Sequence, residues 1–141
     1  MILPTNGLDE CIAMCWQARN SCQKTLFQHC LPTGGDHVAP AHVELMISCM
    51  EIAQAAADFM VRNSPTHPLI CSACANVCDA TADSCEALIC NEKPCIEMQR
   101  CADILRACAM KCRTVGQETF PDAPMSGTIA TPVEAAPPIT Q

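Results

Sequence analysis

The sequence has no tyrosine, one tryptophan and three phenylalanines in 141 residues. A core this poor in aromatic rings must be filled by Ala, Leu, Ile, Met and Cys. Basic residues are also scarce: eight Lys and Arg stand against fifteen Asp and Glu, for a formal net charge of −7. Neither nucleic acid nor an anionic lipid surface is an expected partner, because both are held by positive charge. No uncharged apolar run reaches the roughly 18 residues that a bilayer crossing needs, so no membrane span is expected. The opening MILPTNGLDEC has no basic segment and no long apolar one, hence no secretory signature. A reducing, cytoplasmic setting is expected, and there thiols serve metal or redox chemistry more than structural bridges.

What is abundant is cysteine, with fourteen residues. The stretch PLICSACANVCDATADSCEALIC carries Cys71, Cys74, Cys78, Cys85 and Cys90, the first four spaced three, four and seven apart. At about 100° per residue those steps keep four thiols on one helical face. The residues between them are helix-compatible, with no internal Gly or Pro after Pro68.

The same periodicity recurs along the chain. Helix one is expected over Leu8–Leu31, with Cys11, Cys15, Cys22 and His29 on one face and Cys30 to one side. The segment LPTGGDHVAP is a connection, and His37 within it is given no role. Helix two is expected over Pro40–Arg62, its inner face reading His42, Met46, Cys49, Ala53, Ala56 and Met60. Helix three is expected over Pro68–Cys90, with His67 four residues before Cys71. NEKP turns the chain, and helix four, Cys95–Val115, puts Cys101, Leu105, Cys108 and Cys112 inside. Residues 7–115 therefore predict an all-α, antiparallel up-down-up-down four-helix bundle with a Cys-lined core. Residues 116–141, rich in Pro and with acidic charges only, predict a disordered tail.

An up-down topology sorts these donors by height. The lower end gathers Cys11, Cys15, Met60, Cys71, Cys74, Cys108 and Cys112. The middle holds Cys22, Cys49 and Cys78. The upper end gathers His29, Cys30, His42, Met46, Cys85, Cys90, Cys95, Met98 and Cys101.

One buried Cys is ordinary apolar filler, but ten or more inward thiols are a poor way to build an inert core. Disulfides are an alternative, yet only Cys85 and Cys95 show the C-x9-C separation of stapled helical hairpins. The i,i+4 pairs Cys11/Cys15, Cys74/Cys78 and Cys108/Cys112 have Cβ atoms ~5–6 Å apart in a helix, too far for the ~3.8 Å of a bridge. Two thiolates across one metal ion lie ~4–4.5 Å apart, given bonds of ~2.3 Å. Among soft metals, structural zinc needs far fewer thiols, and cluster ferredoxins use a C-x2-C-x2-C-x3-C-P loop that CSACANVC does not match. Copper(I) accepts two or three sulfur ligands, bridging thiolates, Met and His, and fits best. A thiol redox protein, an iron–sulfur carrier or a structural disulfide bundle remain the alternatives.

The three C-x3-C pairs, the MVRNSP turn and CSACANVC also resemble the four-helix-bundle copper storage proteins, over Leu8 to about Val115. The resemblance implies a homotetramer storing many Cu(I) ions inside each bundle, cytosolic where no signal peptide is present. It implies thiolate pairs within one helix as the main ligands, carried over to Cys11, Cys15, Cys74, Cys78, Cys108 and Cys112. Clusters near an open end, where His or Met assist entry, are also implied. Helix two departs from the family pattern: Cys49 is followed by Ala53, Ala56 and Ala57 where relatives carry further Cys, which lowers the expected capacity.

The expected metal ligands are thus all fourteen thiols, Cys11, Cys15, Cys22, Cys30, Cys49, Cys71, Cys74, Cys78, Cys85, Cys90, Cys95, Cys101, Cys108 and Cys112, with His29, His42 and Met46 at the upper mouth. The expected cargo is several Cu(I) ions per chain, and a copper chaperone is a candidate delivery partner. No enzyme activity is expected. No inward carboxylate pair supports acid–base catalysis, and nothing singles out one thiol as a nucleophile.

Overall fold

The computed structural model describes residues 7–117; residues 1–6 and the expected tail from residue 118 onward lie outside the described residues. Four segments with helical apolar periodicity form four long helices. The first, α1 (Gly7–Thr25), runs on through a π-turn at Leu26–Cys30 and a last α-turn at Leu31–Thr33. A 3-10 turn at Gly35–Val38 leads to α2 (Pro40–Val61). Then come α3 (His67–Glu86), a hairpin of β1 (Ile89–Cys90) and β2 (Lys93–Pro94), and α4 (Ile96–Gly116). Each helix packs along its chain neighbours, and α1 packs on α4 to close the bundle.

The ends follow local chemistry. Pro40 and Pro68 stand in the first turns of α2 and α3, where a missing N–H costs no helical bond. At the end of α2, Asn63 takes a left-handed φ of 52°. Its N–H reaches Met60 O at 3.0 Å and that of Ser64 reaches Phe59 O at 2.9 Å. This double bond pattern satisfies the last carbonyls, with Asn in the position Gly usually fills.

Two expectations are corrected here. Helix three does not reach Cys90: it ends at Glu86, and Cys90 lies on β1, paired with Lys93. Asn91 and Glu92 between them adopt φ of 53° and 65°, the left-handed pair of a two-residue hairpin turn. That turn takes Ile89 and Cys90 out of the helix to make its own ladder. The second correction concerns His29 and Cys30. Regular helix would put His29 on the thiol stripe and Cys30 beside it. The π-turn widens the spiral there, with the Leu31 N–H bonded to Leu26 O. Pro32 follows directly, and its ring would crowd the carbonyl of Gln28 in a regular helix. The phase shift turns Cys30 fully inward and leaves His29 half-buried at the side.

The core combines small and long side chains. Ala18, Ala53, Ala56, Ala57, Ala75, Ala82, Ala102 and Ala109 are buried and let the helices approach, while Leu26, Met46, Met60, Met98 and Leu105 fill the larger gaps. Each such long side chain contributes about 1.5–3 kcal/mol by burial. Outside, Arg106 of α4 pairs with Asp79, Asp83 and Glu86 of α3, and Arg113 reaches Asp79 at 2.8 Å. Lys111 of α4 pairs with Glu10 of α1. Gly116 closes α4 against the start of α3, where an added Cβ would lie 3.0 Å from the Ser72 backbone nitrogen.

Candidate metal centre

The twelve sulfurs that are free thiols, all buried, form a column along the bundle axis. At its lower end the Cys112 Sγ lies 3.6 Å from Cys11 and 3.5 Å from Cys15, while Cys108 lies 3.9 Å from Cys15 and 3.8 Å from Cys112. Cys15, Cys74, Cys108 and Cys112 bring their sulfurs within 4.8 Å of one another. Cys71 adjoins this group through Cys11. Cys74 continues to Cys78 at 3.9 Å, and Cys78 to Cys49 at 3.7 Å. Cys22 joins Cys49 to Cys101, and Cys101 neighbours Cys85. The heights read from the topology hold for the thiols of the lower end and the middle, while Cys101 reaches down to Cys22 as well.

Toward the upper end the donors become mixed. Cys85 lies 3.7 Å from the Met46 thioether, and Cys30 lies 3.6 Å from both Met98 Sδ and His42 Nε2. The other ring nitrogen of His42 is 2.8 Å from Ser84 Oγ, which fixes the ring. Burial lowers the pKa of His42 and keeps it neutral, with a lone pair available to a soft ion.

The thiols also hold one another in different protonation states. Hydrogen bonds from Cys112, Cys15 and Cys74 depress Cys108, and those from Cys22 and Cys78 bring Cys49 down to about 5 against its burial. Bonds from Cys22 and Cys85 bring Cys101 down to about 3. Cys74 is pushed up by Cys108 but pulled further down, to about 6, by Cys112, Cys15 and Cys78. The partners shift the other way: Cys112, Cys15, Cys22, Cys78 and Cys85 are raised chiefly because they donate to neighbouring sulfurs. Burial pushes Cys30 up to about 11. The column thus divides into sulfurs prepared as thiolates and sulfurs that donate to them.

Cys90 and Cys95 stand apart. They are joined in a disulfide across the hairpin, with Cα atoms 4.8 Å apart. His29 Nε2 lies 3.1 Å from Cys95 Sγ and 3.6 Å from Cys90 Sγ. His37, for which the sequence predicts only a place in a connection, is 3% exposed, and its Nε2 lies 3.6 Å from Cys90 Sγ. The 3-10 turn folds it back over the bundle mouth, a tertiary effect that no helical periodicity announces. His67, the first residue of α3, has its Nδ1 2.7 Å from Ser64 O in the preceding turn.

A helical bundle with a buried column of contacting thiols, thioethers and an imidazole is built as a metal-binding protein. Comparison with known proteins makes this specific. The family model described as copper storage protein matches residues 5–117, and the chain belongs to that family. A solved structure of the Nmul_A1745 protein from Nitrosospira multiformis is similar at a TM-score of 0.71 and 37% identity, over 78% of this chain and 94% of that one. The Cu(I)-bound copper storage protein BsCsp3 is similar at a TM-score of 0.68 and 25% identity, over 79% of this chain and 99% of that one. The cysteine-rich protein YhjQ of Bacillus subtilis (strain 168), itself described as uncharacterized, is 27% identical over 107 residues, 76% of this chain and 94% of its own. Copper storage is a binding function and not an enzymatic one. No helix among the described residues is long and apolar enough to cross a membrane.

Proposed function

We propose that this chain stores copper as Cu(I), with several ions held at once along its sulfur column. The observation that carries this reading is the continuity of the column. From Cys11 through Cys112, Cys15 and Cys108, and again from Cys74 through Cys78 to Cys49, neighbouring sulfurs lie 3.5–3.9 Å apart, and Cys74 lies within 4.8 Å of Cys15, Cys108 and Cys112. Two thiolates on one two- or three-coordinate copper(I) ion need ~4–4.5 Å, so small side-chain movements suffice and one thiolate can bridge two ions. The ligands are Cys11, Cys15, Cys71, Cys74, Cys108 and Cys112 below, Cys22, Cys49, Cys78, Cys85 and Cys101 in the middle, and Cys30, Met46 and His42 above. Twelve free thiols suit a reducing compartment, the cytoplasm.

The test is anaerobic titration of the reduced, metal-free chain with Cu(I) against a chromogenic chelator. Binding on the order of ten ions per chain is expected, from thiolates that each bridge two ions; saturation at one or two ions overturns the reading. Assembly as a homotetramer is part of the proposal, and is supported by large apolar side chains on the outside, Trp16, Leu69 and Met110 among them. Light scattering on the eluting protein tests it, and a monomer refutes it. Copper delivery by a chaperone is the remaining element, tested by whether a Cu(I)-loaded chaperone fills the chain without free copper.

A further inference from the structure

Four donors from four segments meet at the bundle mouth, beside the sulfur column. His29 comes from the π-turn, His37 from the 3-10 turn, Cys90 from β1 and Cys95 from the residue that opens α4. Their ligand atoms all lie within 4.8 Å of one another. The two rings meet edge-on, at 77° with centroids 5.1 Å apart, so both Nε2 atoms can face a common point without stacking. His37 and Cys95 are each 3% exposed.

The separations match one coordination geometry. Zinc bonds of ~2.0–2.1 Å to nitrogen and ~2.3 Å to sulfur give a tetrahedron whose N–S edges are ~3.5 Å. Three of the four N–S separations here are 3.1, 3.6 and 3.6 Å, and the His37–Cys95 and His29–His37 ligand atoms lie within 4.8 Å. The sulfur–sulfur edge differs, since two thiolates on one tetrahedral zinc lie ~3.8 Å apart and the pair is covalently joined. Breaking that bond is the one chemical change the cluster needs.

We propose that reduction of the Cys90–Cys95 disulfide converts this cluster into a Cys2His2 site for one divalent borderline cation, zinc(II) foremost. A mixed imidazole–thiolate set suits zinc, whereas copper(I) is satisfied by two or three soft donors, which the column supplies. The reductant is a dithiol. Its two thiols become a disulfide as the Cys90–Cys95 bond accepts two electrons, and its two protons pass to Cys90 and Cys95. Zinc then displaces both protons, so one Zn(II) is taken up and two H+ are released for each dithiol oxidised. The hairpin is a redox latch: oxidised, the mouth site is closed to metal; reduced, it holds an ion that ties the π-turn, the 3-10 turn and the start of α4 together.

The inference does not rest on copper, and a chain that stored none would leave it standing. The test uses the full chain, metal-free, with cadmium-113 as the spectroscopic substitute for zinc, added to two equivalents. Cadmium NMR separates all-sulfur sites in the column from a mixed site. In the dithiol-reduced chain one resonance is expected at a two-nitrogen, two-sulfur position, coupled to histidine ring protons. It should be lost in the chain with the Cys90–Cys95 bond intact, and in the pair Cys90→Ser with Cys95→Ser, while all-sulfur resonances remain. Absence of the mixed resonance from the reduced chain, or its persistence after oxidation or in the double variant, overturns the proposal. The comparison of oxidised and reduced wild-type chain involves no substitution, so a folding defect in the variant cannot blur the outcome.

Discussion

Cys49 of α2 and Cys78 of α3 hold their sulfurs 3.7 Å apart at mid-height in the bundle. Cys49 is the one thiol that α2 offers, and it also adjoins Cys22 of α1. Through it the α3 sulfurs connect with the α1–α4 sulfurs of the upper half. Cys49→Ala should therefore lower copper capacity by on the order of one to two ions, mostly from the middle of the column. Cys108→Ser with Cys112→Ser should cost more, because Cys112 adjoins both Cys11 and Cys15. Titration of the reduced variants ranks the two losses, and equal losses would contradict the column.

Loading should release protons. Cys112, Cys15, Cys22, Cys78 and Cys85 are raised by the hydrogen bonds they donate, so at neutral pH they are thiols and must give up a proton to bind an ion. Cys49 near 5 and Cys101 near 3 have already ionised there and add no pH dependence above those values. A raised acid binds metal less well as pH falls, by about tenfold per pH unit for each proton displaced. Between pH 8 and pH 6 the later copper equivalents should weaken more than the first. Calorimetry in two buffers of different ionisation enthalpy counts the protons, and a count of zero at full loading contradicts this.

His42 should govern rate more than capacity. It is neutral, fixed by Ser84, and faces Cys30 at 3.6 Å. An uncharged imidazole can take and release Cu(I) with no proton to shed, while a thiol must deprotonate first. His42→Ala, alone or with His29→Ala, should slow copper transfer to a chelator several-fold and change the total bound by no more than about one ion. Stopped-flow mixing with a chelator reads this directly; an unchanged rate moves the entry point to the lower end near Cys11 and Met60.

Gly116→Ala tests the close approach of the end of α4 to the start of α3. In a helix this change ordinarily stabilises by about 1 kcal/mol. Here the new methyl would meet the Ser72 backbone nitrogen at 3.0 Å and its Cα at 3.1 Å. Backbone atoms cannot rotate away, and crowding of this kind costs about 1–3 kcal/mol. Thermal melts of the apo-chain should show a net loss on the order of 1 kcal/mol; a gain would show that the ends of α3 and α4 can part.

Much of the site was legible because two of its periodicities are local. Cys74/Cys78 and Cys108/Cys112 sit four residues apart on regular helix, and their sulfurs lie 3.9 and 3.8 Å apart, within the reach that spacing allows. His37 was missed because its place depends on how a connection folds back across the mouth. Cys90 was placed on a helix because ALIC continues the helical pattern, while the left-handed residues that end it, Asn91 and Glu92, carry no strong turn signature such as Asn-Gly. The exchange of Cys30 for His29 on the axis follows from one widened turn before Pro32, whose Pro was visible and whose effect on phase was not.

The sequence by itself determined four helices, their directions and which faces carry most of the sulfur, because helical periodicity and short connections leave little choice of packing. Tertiary structure alone decided which sulfurs touch across helices, which of them ionise and which stay protonated, and that two histidines and two cysteines converge at the mouth. Those depend on differences of a few tenths of an ångström in the separations of side chains up to 101 residues apart, as in Cys11 and Cys112. Residue spacing along one helix cannot specify them, since each is set by how four helices settle against one another.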